Sequence, residues 1–241
     1  MPAMAANSEN AEIGTGSGAV APDRRTRRRH ERRNAVYQAA VELFIERGYD
    51  STTMEDIADR ADVARATVFN HFPRKTAFLD EWSSRRRQRA VQAVLAEHLA
   101  EHSASEILGR YMKELAKLSI ETRQETVALM DAAVHSTNVL GNPQLAHELA
   151  KYVARGQRHG ELRRSIDSAQ AGLLLATGYF ATLTHWIGAE PAPFDLDHEL
   201  ANMLELVLGG LLRADADAGS RRTAPGGPGR TPPWATAVSH S

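Results

Sequence analysis

Seven of the ten residues in the run Arg24-Arg-Thr-Arg-Arg-Arg-His-Glu-Arg-Arg33 are arginine, and with Glu31 the run carries a net charge of +6. A guanidinium is a planar fork of five donors that stays charged at any biological pH and matches phosphate oxygens in geometry. Such a run, with Arg28 near its middle, can lie along phosphates or reach into a narrow minor groove. By itself it also describes a solvated, charged helix start. A second run, Arg85, Arg86, Arg87 and Arg89, admits both a solvated face and partial phosphate contact.

Between the two runs lies a stretch with strong local punctuation. The spacing predicts a helix from about Arg27 to Arg47 that stops at Gly48, and Ser51-Thr52-Thr53 then offers hydroxyl caps for a short helix from near Met54. Thr52 with Glu55, or Thr53 with Asp56, fits a capping box, and both pairings stay open. Ile57, Ala58 and Ala61 face inward, Asp62-Val63-Ala64 make a tight turn, and a second short helix runs from about Arg65 to His71 with Val68 and Phe72 as its apolar contacts. Two short helices across a tight turn make a helix-turn-helix. The second helix of that motif enters the major groove and reads base edges with its N-terminal residues. This points to Arg65, Ala66, Thr67, Asn70 and His71. Arg65 suits guanine, Asn70 suits adenine, and Ala66 or the Thr67 methyl suits the thymine methyl.

The stretch from Tyr49 to Lys75 resembles the DNA-binding signature of the TetR family of transcriptional repressors, with Thr52-Thr53, Ile57-Ala58, Val63, Thr67, His71, Phe72 and Lys75 in the family's spacing. The resemblance runs from the first helix to Leu79. It implies a helix-turn-helix domain over 24–73 and a helical effector-binding and dimerisation domain over 74–214. With the motif in place, Thr53 at the positive end of its helix and Lys75 at the start of the fourth helix suit phosphate anchoring. Three residues depart from the pattern. Asp62 stands where the family often has Gly, and Asp tolerates a left-handed backbone better than most residues. Ala64 replaces a capping Ser, at a cost of about 0.5–2 kcal/mol of local helix stability. Phe69 replaces a Tyr whose hydroxyl reaches phosphate in the family.

For the second domain the resemblance implies a dimer bundle built from the uncharged helix around Ala169–Ile187 and the last helix, about Leu196–Leu212. Gly172 and Ala176, one turn apart, allow close approach of a neighbouring helix, whether the chain's own or a partner's. An effector pocket within residues 75–185 has Tyr111, Met112, Met130, His135, Tyr152, Phe180, Thr184 and Trp186 as candidate lining. The implied activity is a repressor that binds a palindromic DNA operator as a homodimer and is released by a mainly apolar small molecule. A metal-responsive regulator and a transcriptional activator of the same fold are the alternatives.

The rest of the chain must position these groups, and its apolar spacing is helical almost throughout, which predicts an all-α fold of about nine helices. Val36, Ala40, Leu43 and Phe44 mark one helix; Ile107, Tyr111, Leu115 and Leu118 another; Leu196, Leu200, Met203, Val207 and Leu211 the last. Residues 1–23 read as a disordered leader and residues 215–241 as a disordered tail, broken by Pro225-Gly-Gly-Pro and Pro232-Pro233. The overall charge of -1 hides a segregation: -3 over 1–23, +6 over 24–89 and -4 over 90–241. Zero cysteines rule out disulfides, zinc fingers and thiol nucleophiles and fit a cytoplasmic protein. Ser168–Ala189 lacks charge for 22 residues, yet its Ser, Gln, Thr and His interruptions fit a core or interface helix better than a membrane span. No catalytic motif occurs, so no enzyme and no cofactor are expected. His98 and His102 lie four apart beside Glu97 and Glu101, but no further ligand completes a metal site.

Overall fold

The computed structural model describes residues 24–97, 102–136 and 143–211. The expected leader and tail lie outside these residues, as do His98 and the side chain of His135. Nine helices occur among the described residues: α1 Arg24–Arg47, α2 Met54–Arg60, α3 Arg65–His71, α4 Thr76–Ala96, α5 Ala104–Glu121, α6 Arg123–Ser136, α7 Pro143–Arg158, α8 Ser168–Ile187 and α9 Leu196–Leu211. The first begins three residues earlier than the apolar spacing predicts. Arginine is a good helix former, so the whole arginine run is helical rather than an extended arm.

Three helices and the start of the fourth form the N-terminal head. Val36, Ala40, Leu43 and Phe44 of α1, Ile57 and Ala58 of α2, and Val68 of α3 are buried together. Phe72 stacks on Phe78 of α4 at 4.1 Å between ring centroids, and Phe78 meets Phe44 edge-on at 5.9 Å. Each fully buried aromatic contributes roughly 1.5–3 kcal/mol through area alone, and ring geometry adds about 0.5–1.5 kcal/mol per pair. The head is therefore bonded to α4 by its own core.

The larger body follows from α4 onward. Helix α5 packs against α4, α7 and α9, and α6 contacts α1, α4 and α8. The pair α7 and α8 makes the most extensive helix–helix contact among the described residues. Gly172 explains how: a Cβ at that position would overlap the carbonyl oxygen of Ala146 and the Cβ of Ala150. The close approach foreseen at Gly172 is thus to the chain's own α7. Along α4 every fourth residue is buried, namely Phe78, Trp82, Arg86, Ala90 and Val94. No described helix is long and apolar enough to cross a membrane.

Candidate nucleic-acid interface

Of the two possible capping boxes, α2 uses Thr53 with Asp56. Asp56 N–H donates to Thr53 Oγ1 at 3.1 Å, and the Asp56 carboxylate accepts from the Thr53 hydroxyl at 2.7 Å and its N–H at 2.8 Å. Those two donors hold the Asp56 carboxyl below its ordinary range, the hydroxyl contributing most. Thr52 instead is buried and donates to the Gly48 carbonyl at 2.8 Å. The Thr53 hydroxyl, expected to anchor phosphate, is committed to its own helix start.

The turn into α3 survives without glycine. Asp62 sits at φ 51°, and Val63 N–H reaches back to the Ala58 carbonyl at 3.0 Å. Ala64 occupies the N-cap of α3 and supplies no side-chain bond, so the first amide groups of α3 lack the side-chain acceptor that Ser would give. Arg65 stands at that end, exposed and paired with Glu55 at 2.7 Å, its guanidinium 5.3 Å from the Phe69 ring centre.

One turn of α3 faces the core through Val68, and the opposite side presents Ala66 and Asn70 to solvent. Arg65 and Phe69 form one flank of that exposed arc, and Thr67 and His71 form the other. On the Thr67 flank runs a groove of about 930 Å³ lined by Thr67, Asn70 and His71 on one wall and Arg24, Arg25, Arg28, Arg29 and Arg32 of α1 on the other. Burial, followed by the charges of Arg33, Arg29 and Arg32, pulls the His71 imidazole below the usual histidine range. That shift favours its neutral form.

Arg33, the last of the run, has a different task. It donates to the His71 carbonyl at 2.5 Å and to Glu81 at 2.8 Å, with its guanidinium 4.2 Å from the Phe72 ring centre. Arg85 joins from α4, donating to Glu81 at 2.9 Å and to Asn34 at 2.7 Å. Burial raises the affinity of Glu81 for its proton, but the two arginine bonds outweigh this and keep it below the usual carboxylate range. Together these contacts fix the C-terminal end of α3 between α1 and α4. Sequence reasoning missed Arg33 and Glu81, whose partners lie 38 and 48 residues away in the chain.

Lys75 is engaged within the head. Its ammonium group donates to the carbonyls of Tyr49 at 2.8 Å, Thr52 at 3.2 Å and Asp50 at 3.4 Å, and lies 4.3 Å from the Tyr49 ring centre. An ammonium has three protons, and all three are used. Here Lys75 ties α4 to the loop between α1 and α2.

This head matches a family model described as bacterial regulatory proteins, tetR family, over residues 36–82. The transcriptional activator FasR of Mycolicibacterium smegmatis is 45% identical over 47 residues, which cover 20% of this chain and 22% of FasR. The transcriptional repressor DhaR of Mycobacterium sp. strain GP1 is 26% identical over 184 residues, covering 68% of this chain and 86% of DhaR. Among solved structures, the TetR-family repressor FadR of Thermus thermophilus, in complex with lauroyl-CoA, aligns at a TM-score of 0.64 and 28% identity over 81% of this chain and all of FadR.

The head is a TetR-family DNA-binding domain. The similar proteins FasR, DhaR and FadR are transcriptional regulators. Part of the second arginine run is committed to the fold. Arg86 is buried, donating to Ser119 Oγ at 2.7 Å and Thr122 Oγ1 at 3.2 Å beside the Trp82 ring. Those hydroxyls pass their own protons to the Leu115 and Leu118 carbonyls. The charge is thereby coupled to the negative C-terminal end of α5 in place of a carboxylate.

The expected pocket residues of the body scatter. Tyr111 and Tyr152 come together, ring centres 5.9 Å apart, and the Tyr111 hydroxyl is buried with no hydrogen-bond partner. Burial, then Glu148, pushes the Tyr152 phenol up to about 12. Met130 is fully buried, and Phe180 packs partly buried against Tyr179 at 5.2 Å. Trp186 is covered by Arg123 at 4.3 Å from its ring centre. Met112 lines a groove of about 540 Å³ between α5 and α9, with Leu200, Leu204 and Leu208 opposite. Thr184 is exposed on the outer side of α8 and so does not line an interior pocket. Of the metal alternative's histidines, His102 lies 3.5 Å from Glu106, and the described residues contain no cluster fit to hold a metal ion.

Proposed function

We propose that the chain is an effector-responsive repressor that binds a palindromic operator as a homodimer in the cytoplasm. The observation that carries the reading is the exposed arc of α3: Ala66 and Asn70 face outward on a helix whose other side is held rigidly by Val68 and Arg33. A recognition helix in that setting fits a major groove, and two of them about 34 Å apart meet successive grooves on one face of the duplex.

A second copy of the chain supplies the pairing. Leu173 and Leu174 of α8 and Leu206 of α9 are exposed, the last at 79%, on neighbouring helices joined where Met203 packs on Gly178. Large apolar side chains exposed together suit an interface. The effector enters between α4, α5 and α7. There the buried Tyr111 hydroxyl has no partner, and Arg87, half-buried and lowered in proton affinity by that burial, has no ion pair among the described residues. An apolar molecule with an acceptor or anionic group meets both needs, and the related FadR holds lauroyl-CoA. Binding to a state with misspaced recognition helices lowers operator affinity.

A footprint over the chain's own upstream DNA tests the proposal. The expected result is protection of an inverted repeat by a dimer; a folded dimer that protects no repeat at moderate salt defeats it. A reporter under that operator gives the sign, since expression must rise when the regulator is deleted.

A further inference from the structure

We propose that the groove between α1 and α3 clamps one sugar-phosphate strand of the operator, with the arginine face of α1 as a rigid phosphate rail beside the recognition helix. The inference rests on the reading that α3 lies in the major groove. It adds a second DNA-binding element, assigns its residues and predicts how binding is divided between backbone and bases.

Helical geometry makes the rail. Arg24, Arg28 and Arg32 recur every four residues, so each stands about 6 Å along the axis from the last, and Arg25 and Arg29 form an adjacent row. The five guanidiniums cover about 12 Å of α1, comparable to the axial length of three to four nucleotides on one strand. All five side chains belong to exposed residues, and none makes a hydrogen bond or ion pair with any described residue. The contrast with Arg33 is direct: one turn beyond the rail, that arginine is spent on Glu81 and the His71 carbonyl.

Five unpaired cations on one face repel one another and favour a polyanion over a single counter-ion. The opposite wall identifies which polyanion. Thr67 and His71 form one flank of the arc by which α3 meets DNA, and Asn70 sits at the lip between that arc and the groove. When α3 occupies a major groove, the strand bordering it runs beside this flank. Arginines then hold the phosphates from one side, while the Thr67 hydroxyl and neutral His71 ring offer donors from the other. Base reading is left to Ala66 and Asn70, with Arg65 on the far flank.

The decisive experiment uses the full chain with Arg24, Arg28 and Arg32 changed together to Gln. These positions are exposed, and an unchanged melting temperature and dimer state confirm that the fold persists. The slope of log affinity against log salt should flatten by about 2.7 per bound protomer, at about 0.9 per phosphate. Between 50 and 200 mM salt the wild type then loses roughly 40-fold more affinity per protomer than the variant. Hydroxyl-radical protection of the strand flanking each half-site should disappear, while the ratio of operator to scrambled-site affinity stays the same. Arg47→Gln, at the other end of α1, serves as control with an unaltered slope. The clamp is overturned if the triple variant keeps the wild-type slope and footprint, or if it changes the specificity ratio while leaving the slope intact. Wild-type protein that binds no operator would instead defeat the regulator reading on which the clamp depends.

Discussion

The arginine run of α1 and the arginine run of α4 are alike in density, yet the fold places them in opposite settings. In α1 five arginines share a groove with the recognition helix and have no partner among the described residues. In α4 Arg85 is bonded to Glu81 and Asn34, Arg86 is buried against Ser119 and Thr122, and Arg89 lies 3.7 Å from Glu114, which leaves Arg87 alone in that run without an ion pair among the described residues. What distinguishes an interface from a scaffold is therefore not the number of charges but how many are already answered within the chain. An answered arginine is committed to the fold; an unanswered one is free to meet an anion from outside the chain.

Arg86→Ala is the strongest way to break this comparison. It removes two charge-assisted bonds and leaves a void beside Trp82, which should cost about 3 kcal/mol. For a body of this size that lowers the melting temperature by roughly 6–12 °C, measurable by calorimetry. Arg86→Met, which keeps the volume, should recover part of the loss. A salt slope of DNA binding that flattened in either variant, with dimer intact, would contradict the scaffold role.

Lys75→Ala comes next. Loss of three carbonyl contacts and the Tyr49 ring contact should cost about 1–2 kcal/mol. Its salt slope should match the wild type, because the ammonium faces the α1–α2 loop. A slope flattened by about 1 would restore the phosphate role that sequence spacing suggested.

These two residues also show where legibility ended. The helix-turn-helix was readable because its signals are local: caps at 51–53, a turn at 62–64 and apolar contacts a few residues apart. Even there the choice between Thr52 and Thr53 as cap depended on burial against Leu43 and Gly48, which spacing does not express. The partners of Lys75 lie 23 to 26 residues upstream. Arg86 did leave a trace, since it occupies the middle of the four-residue series Phe78, Trp82, Arg86, Ala90 and Val94. A charged residue in the centre of an apolar stripe marks a buried cation; grouped with its three arginine neighbours, it was read as surface. In the body, residue type alone does not separate the buried Tyr111 from the exposed Thr184.

A single rail substitution sharpens the other half of the comparison. Arg28→Gln should change stability by no more than about 0.5 kcal/mol, as exposed substitutions usually do. It should flatten the salt slope by about 0.9 per protomer, so that the wild type loses about 3.5-fold more affinity between 50 and 200 mM. Equal slopes for Arg28→Gln and wild type would remove Arg28 from the rail.

The smallest effect belongs to His71, which reports the field of the rail. In the free protein, burial and the charges of Arg33, Arg29 and Arg32 place its proton affinity below the ordinary value, near 6.5 for an unperturbed histidine. The unfolded chain therefore binds this proton more readily, and the stability that neutral His71 contributes declines as pH falls below about 6.5. DNA reverses the field. A phosphate strand in the groove offsets the arginines, raises the proton affinity of His71 and couples binding to proton uptake, so operator affinity should increase modestly as pH drops from 7.5 to 6. Titration of the His71 ring by NMR, with and without operator, should show a midpoint below 6.5 in the free protein and a higher one in the complex. His71→Gln should abolish that part of the pH dependence. A midpoint unmoved by DNA would mean that no phosphate enters the groove beside His71, and the comparison between the two runs would lose its functional half.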